Sequence, residues 1–105
     1  MKTKSKAKAK TQYQVPLFNL GVISETPGAT EVLEKYGISA ESLLRRHQCG
    51  DFGDMCNHDK EVNRRAINSG MEQIHSSYKI TKTVEIWVMT VWNRWNTVVL
   101  LPSER

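Results

Sequence analysis

The chain has 105 residues, of which 39% are hydrophobic and 25% are charged. These proportions are typical of one soluble globular domain with a small core, and they exclude an intrinsically disordered chain. The apolar runs fall well short of the roughly 18 residues that span a membrane, so we expect no membrane partner.

The net charge of +4 is concentrated at the N-terminus. Five lysines lie there among small and polar residues: Lys2, Lys4, Lys6, Lys8 and Lys10. Without them the chain has 10 basic residues against 11 acidic ones. We therefore predict a disordered basic tail over residues 1–14 and a near-neutral single α+β domain over residues 15–105. The lysines would add a salt-dependent attraction to nucleic-acid phosphates.

No apolar stretch of a signal peptide follows this basic start, so we expect a cytoplasmic protein. The first predicted element covers residues 15–24, which are apolar and indicate a short strand or a buried extended lead-in. Thr26 and Pro27 then mark the start of a helix, and Gly37 is placed to end it in a left-handed conformation. Ser39 is predicted to cap a second short helix.

Asn57 is predicted to cap a third helix over residues 58–68, which carries a narrow apolar stripe. From Gln73 onward polar and apolar residues alternate, as is typical of a strand, and the apolar run over residues 85–91 indicates a central strand. A last strand is predicted over residues 97–101. The fold class is therefore α+β, with two or three short helices packed on a three- to four-stranded antiparallel meander.

A recognisable order of separated residues begins at Arg46. Its members are Arg46, His47, Gly50, Asp51, Gly53, Asp54, Asp59, Asn63, Ala66, Gly70, Ser76, Tyr78, Trp87, Val88, Thr90, Thr97, Val98, Leu100, Leu101 and Pro102. This order resembles a family of small proteins encoded on plasmids, phages and integrative elements, commonly labelled plasmid-related protein or type I restriction endonuclease subunit M. Because the chain lacks the Gly-rich loop and the Asn/Asp-Pro-Pro-aromatic motif of a modification methyltransferase, the resemblance implies a mobile-element context without methylation.

Four soft metal ligands lie within twelve residues: His47, Cys49, Cys56 and His58. Zinc prefers such donors in a tetrahedral arrangement. Their spacing does not match a zinc knuckle, because two residues that are two apart on a helix diverge by roughly 200°. We therefore predict no metal and no cofactor, with both cysteines as free thiols in a reducing compartment.

A second reading of the same region is catalytic. His47 with Asp51 or Asp54 has the composition of a general base and its orienting carboxylate. With Arg46 or Arg94 supporting a phosphate, this set would suit a small metal-independent ribonuclease-like enzyme, which we keep as an alternative. The other role of these carboxylates is structural, since they can cap helix ends or hold arginines in place.

The predicted turn before the last strand carries Trp92, Arg94 and Trp95, and Trp and Arg are typical of binding hot spots. The family has smaller residues at both of these tryptophan positions. The pair could also stack on bases, so a nucleic-acid-binding module is a further alternative. The remaining candidates for the binding surface lie in the turn after the second predicted helix and in the third predicted helix: Asp51, Asp54, Asp59 and Asn63.

The leading hypothesis is a small mobile-element-encoded accessory protein that acts by binding. Its partner would be a host protein, and its role would be that of an antagonist of a host defence system, of anti-CRISPR or anti-restriction type. A domain with a charge near −1 does not suit imitation of the densely charged DNA duplex. Because the chain matches no catalytic motif and the resemblance implies a mobile-element context, we expect binding rather than catalysis, with no catalytic residues.

Overall fold

The computed structural model describes residues 15–70 and 72–105, so the predicted tail over residues 1–14 lies outside the described residues. The elements, in chain order, are β1 (Val22–Glu25), α1 (Pro27–Tyr36), α2 (Ala40–Gln48), α3 (Asn57–Ser69), β2 (Ile74–Lys79), β3 (Glu85–Thr90), β4 (Asn96–Leu100) and a short 3₁₀ helix (Pro102–Glu104). None of these described helices has the length and apolar character needed to cross a membrane.

The strands form one four-stranded sheet in the order β1-β4-β3-β2. β2, β3 and β4 are successive antiparallel neighbours, whereas β1 pairs with β4 in the parallel direction. The predicted α+β class is confirmed, and β3 occupies a central position as expected. The sheet is not a strict antiparallel meander, because the three helices separate β1 from the other strands and allow it to join the last strand in parallel.

The apolar segment at residues 15–24 was predicted to be a short strand or a buried extended lead-in; it does enter a strand, but burial was wrong, since Val15 is 62% and Leu17 51% exposed. Its first part is an extended lead-in, fixed to the end of α2 by a bond from the Leu17 N–H to the Gln48 carbonyl (2.8 Å). Gly21, with φ of 68°, then turns the chain into β1. A Cβ at Gly21 would lie 2.1 Å from the Trp95 carbonyl oxygen, so only glycine permits this close approach of two backbones.

Two of the three predicted N-cap residues, Thr26 and Ser39, are confirmed. Thr26 and Ser39 each accept a backbone N–H bond from the first turn of the helix that follows, and Gly37 ends α1 with φ of 65°. The third helix differs, because its N-cap is Cys56, which makes no side-chain capping bond, and Asn57 lies inside the helix.

The helices α1 and α2 cover one face of the sheet. The buried residues of this core are Ala29, Leu33, Leu43, Leu44, Tyr78, Ile86, Val88 and Val99. A second cluster joins α3 to the start of β2 and consists of Phe52, Ala66 and Ile74. Trp87, which lies in the predicted central strand, is half-buried on the opposite face, because side chains alternate along β3.

Asn63 in α3 covers one end of the outer edge of β2. Its Nδ2 donates to the His75 carbonyl (2.7 Å), and its Oδ1 accepts from the His75 N–H (3.1 Å). The side-chain amide thus reproduces the pair of bonds that a neighbouring strand would make. Asn63 is itself only 3% exposed, so these bonds also satisfy its own polar atoms.

The chain before α3 covers the rest of that edge. The Ser77 N–H donates to the Phe52 carbonyl (3.2 Å), and the Asp54 N–H donates to the Ser77 carbonyl (2.6 Å). The Asp54 carboxylate then accepts from the Lys79 N–H (2.8 Å). Gly53 has φ of 74°, and a Cβ there would lie 2.1 Å from the Ser77 carbonyl oxygen. The outer edge of β2 is therefore occupied from His75 to Lys79.

Replacement of Asn63 by alanine tests this edge cover. We expect the free energy of unfolding to fall by about 2 kcal/mol, because the N–H and C=O of His75 lose their partners. Urea denaturation measures the loss, and amide hydrogen exchange at His75 should become faster. The control is Asn68→Ala, at an exposed position of the same helix, which should change stability by less than about 0.5 kcal/mol. Equal effects of the two substitutions would contradict this account.

Candidate functional site

His47, the candidate general base, lies in the core. Its ring is fully buried, with Nδ1 2.6 Å from the Ser76 hydroxyl and Nε2 2.9 Å from the Thr90 hydroxyl. Phe18 packs edge-on against it at a ring-centroid distance of 5.3 Å. Burial, assisted by nearby positive groups, lowers the pKa of His47 to about 3. A neutral, enclosed ring cannot reach a substrate, so the structure does not support a catalytic role for His47.

The hydroxyl groups around His47 form a directed chain of hydrogen bonds. The Leu20 carbonyl can only accept, so the Thr97 hydroxyl donates to it (2.8 Å). Thr97 has then used its single proton, and it accepts a bond from the Thr90 hydroxyl (2.7 Å). Since Thr90 has used its single proton, it accepts from the Nε2–H of His47. The Nδ1 atom then accepts from Ser76. This order requires the neutral Nε2–H tautomer, and it links α2, three strands and the lead-in.

Arg94, expected at the centre of the binding surface, has a structural role. Its guanidinium donates to the carbonyls of Ala66 (2.9 Å), Glu72 (2.6 Å) and Trp92 (2.9 Å). Ala66 lies in the last turn of α3, and its carbonyl, which also accepts the Gly70 N–H (2.8 Å), belongs to the negative end of the helix dipole. Arg94 also has φ of 61°, a left-handed conformation that few residues with a side chain adopt. The guanidinium is therefore occupied in holding the turn against α3.

The two tryptophans of the same turn are exposed, Trp92 by 58% and Trp95 by 77%. Val22, at the start of β1, is exposed by 73% and donates its N–H to the Trp95 carbonyl (2.9 Å). We call Val22, Trp92 and Trp95 the tryptophan surface. Both tryptophans were predicted as binding residues from the sequence, whereas Val22 was not. No pattern of neighbouring residues indicates that β1 pairs with β4 and brings Val22 to this turn.

Three other predicted binding residues come together around a groove. Asp54, Asp59 and Asn63 line a cleft of about 470 Å³ between the start of α3 and the outer face of β2 and β3. His75, Ser77, Glu85 and Trp87 form the opposite wall. The sequence carried a signal for that wall, because the two-residue period of both strands places these four side chains on one face.

The wall of the groove is a set of polar groups around an aromatic ring. The Glu85 carboxylate accepts from the Ser77 hydroxyl (2.5 Å) and from Trp87 Nε1 (3.0 Å), and these bonds lower the pKa of Glu85. The His75 ring packs edge-on against Trp87 at a centroid distance of 4.5 Å. Burial lowers the pKa of His75, and its Nε2 is buried without a hydrogen-bond partner among the described residues. The groove has the chemistry of a polar cleft with carboxylate acceptors.

Asp51 lies apart from this groove and holds Arg46. The Arg46 guanidinium bonds to both carboxylate oxygens, at 2.7 and 3.3 Å, and stacks over the Tyr78 ring at 4.4 Å. Partial burial acts to raise the pKa of Asp51, but the bonds from Arg46 and from the Gly53 N–H outweigh it and lower the pKa overall. Both residues of this pair are thus engaged in the structural role that the sequence offered as the alternative.

The four candidate zinc ligands are dispersed. His47 is enclosed in the core, Cys49 is half-buried after α2, and Cys56 and His58 are exposed at the start of α3. Burial raises the pKa of the Cys49 thiol. Within residues 15–70 and 72–105, no group of three or more His, Cys, Asp or Glu side chains is arranged to hold a metal ion.

Comparison with known proteins adds no relative. No family model, curated protein or solved structure matches this chain. The resemblance to small plasmid, phage and integrative-element proteins therefore stays a prediction from the sequence.

The lowered pKa of His47 makes stability depend on pH. The unfolded chain takes up the proton near pH 6.5 and the folded protein only near pH 3. The contribution of the neutral ring is therefore fully present above pH 6.5 and is lost as the pH falls toward 3. We expect His47 to reduce the free energy of unfolding by about 2 kcal/mol between about pH 7 and about pH 5.

Urea denaturation of two variants at both pH values separates this contribution from that of other groups. His47→Gln should lose this part of the pH dependence, although its stability is lower throughout. The control His58→Gln, at an exposed position of α3, should keep the wild-type dependence. An unchanged slope in His47→Gln would show that another group titrates.

Arg94→Ala tests the role of the guanidinium. We expect the free energy of unfolding to fall by about 2 kcal/mol, since several hydrogen bonds from a charged donor are lost. The control Arg65→Ala removes the same charge from an exposed position of α3 and should have less than a quarter of that effect. Thermal melts measure both. A melt of Arg94→Ala that matches the wild type would return Arg94 to the exposed binding surface.

Proposed function

We propose that the protein acts by binding a host protein through the tryptophan surface, as a non-enzymatic accessory protein of a mobile element. The observation that carries this proposal is the exposure of Trp92 and Trp95 on a turn that Arg94 holds in place. Large aromatic side chains that become buried on association dominate the energy of protein interfaces.

The rigidity of the turn strengthens the proposal. A binding surface that is already ordered loses little conformational entropy when a partner docks. Arg94 bonds the turn to the end of α3, and Gly21 allows the chain before β1 to pack against the turn backbone. The exposed tryptophans therefore lie on a fixed turn, to which the Val22 backbone is bonded, and they are available for insertion into pockets of a partner.

Binding a protein is better supported than the two alternatives. A ribonuclease-like mechanism needs His47 as a base, and this ring is neutral and enclosed. A nucleic-acid-binding module needs positive charge beside the stacking rings, whereas the Arg94 guanidinium is directed at backbone carbonyls. The Arg94 guanidinium, which lies between Trp92 and Trp95 in the sequence, is thus engaged by the backbone instead of being directed toward a phosphate.

The biological role that we infer is antagonism of a host defence system, of anti-CRISPR or anti-restriction type, in the host cytoplasm. This inference rests on the sequence resemblance and its mobile-element context. A binding protein of this kind would occupy a surface that the defence protein needs. Beyond the N-terminal lysines the 10 basic residues against 11 acidic ones argue against mimicry of DNA phosphates, so a protein surface is the more suitable target.

Trp92→Ala and Trp95→Ala test the tryptophan surface. The partner is first identified by pull-down from a host lysate and purified, and its affinity is then measured by calorimetry. We expect each substitution to weaken binding by about 1 to 4 kcal/mol, with the free energy of unfolding changed by less than about 0.5 kcal/mol.

The matched control for this test is Tyr36→Ala, which removes an aromatic side chain, 40% exposed, at the end of α1. It should bind like the wild type. Full affinity of both tryptophan variants would refute the proposed surface.

A further inference from the structure

The second edge of the sheet, formed by β1, has a regular pattern of backbone groups. Val22 donates its N–H to the Trp95 carbonyl (2.9 Å) and Thr26 donates to the Val99 carbonyl (3.0 Å). Parallel pairing alternates, so residues between these two points direct their N–H and C=O groups to β4 or away from it in turn. Ile23 and Glu25 therefore point their backbone groups away from the sheet.

Among residues 15–70 and 72–105, nothing pairs with this edge, whereas the edge of β2 is covered. Among the described residues, no backbone bond from outside the β1–β4 pairing reaches the N–H or C=O of Ile23 or Glu25. All four residues of β1 are exposed, and the strand contains no proline, lysine or bulge of the kind that protects sheet edges. Unpaired backbone groups of an exposed edge form a template for another strand.

The surroundings of the edge are acidic. Glu25, Glu31 and Glu34 line one shallow depression between β1 and α1. The nearest lysine along α1, Lys35, lies against the Tyr36 ring at 5.4 Å. Two copies of this chain joined through β1 would bring two such sets of carboxylates together, which is unfavourable. The charge therefore favours a basic occupant over a second copy.

We propose that β1 accepts an extended segment of the partner protein as a further strand, with basic side chains alternating with apolar ones. The basic side chains would face Glu25 and α1, and the apolar ones would lie beside Val22 on the other face, since side chains alternate along a strand. This proposal rests on the proposed function, because the tryptophan surface borders the edge at Val22. Backbone bonds to Ile23 and Glu25 would orient the partner.

A synthetic peptide with the sequence Lys-Val-Lys-Val-Lys, acetylated, amidated and labelled with fluorescein, serves as the probe. Fluorescence anisotropy with the full chain measures affinity, and amide hydrogen exchange by NMR locates the contact. We expect binding that slows exchange at Ile23 and Glu25 by at least about tenfold, as strand pairing requires. The matched peptide with glutamate in place of lysine should not bind.

Two variants isolate the backbone contribution. Ile23→Ala and Ile23→Pro both remove the side chain, but only proline removes the outward N–H, and an edge strand tolerates proline at such a position. Peptide affinity should fall at least about fivefold further in Ile23→Pro than in Ile23→Ala, with similar thermal melts. If Ile23→Pro does not fold, the exchange measurement on the wild-type protein decides.

Three results would overturn the proposal: equal binding of the two peptides, binding that leaves Ile23 and Glu25 unprotected, or protection of both amides in the free protein. Sedimentation would then show whether a second copy covers the edge. Failure here is distinguishable from failure of the proposed function, because the peptide tests β1 alone. Loss of host-partner binding in Trp95→Ala would still support the tryptophan surface.

Discussion

A neutral histidine ring between two hydroxyl groups joins α2 to the centre of the sheet. Hydroxyl and imidazole groups are costly to bury unless each polar atom is bonded, and the chain from Ser76 through His47 to Leu20 satisfies every member. The carbonyl at its end sets the direction of each bond. A proton on His47 would reverse one of them, so the packing of α2 on β2, β3 and β4 depends on a neutral ring.

The same principle extends from the core to the periphery, where polar side chains serve as partners for backbone groups. Asn63 pairs with the backbone at one end of the β2 edge, and Arg94 bonds to the Ala66 carbonyl in the last turn of α3. His47, Asn63 and Arg94, which the sequence suggested as functional residues, are thus engaged in hydrogen bonds that hold the fold together. Among the described residues, the apolar surface at Trp92 and Trp95 and the outward backbone groups of β1 are features that association with another chain would satisfy.

The parts of this structure that could be predicted from sequence are those with local causes. Helix capping by Thr26 and strand formation by alternation involve neighbours within a few residues. The parallel pairing of β1 with β4 and the contact of Arg94 with α3 join distant segments, and no local pattern indicates them. The burial of His47 did have a signal, because Leu43 and Leu44 lie four and three residues before it on the same helical face. The catalytic hypothesis instead used the nearby Asp51 and Asp54.

Exposure of two tryptophans is unfavourable for a small domain, whose core supplies limited stability. Both exposed tryptophans lie in one turn at one end of the sheet, and Arg94 fixes this turn. The Trp95 carbonyl of the turn accepts the N–H of Val22, the first residue of β1. Aromatic anchors supply affinity, while strand pairing supplies direction and register. A partner that used both would be held in one orientation, which the proposed role as an antagonist would require. The proximity of these two unsatisfied features therefore favours one continuous interface over two independent ones.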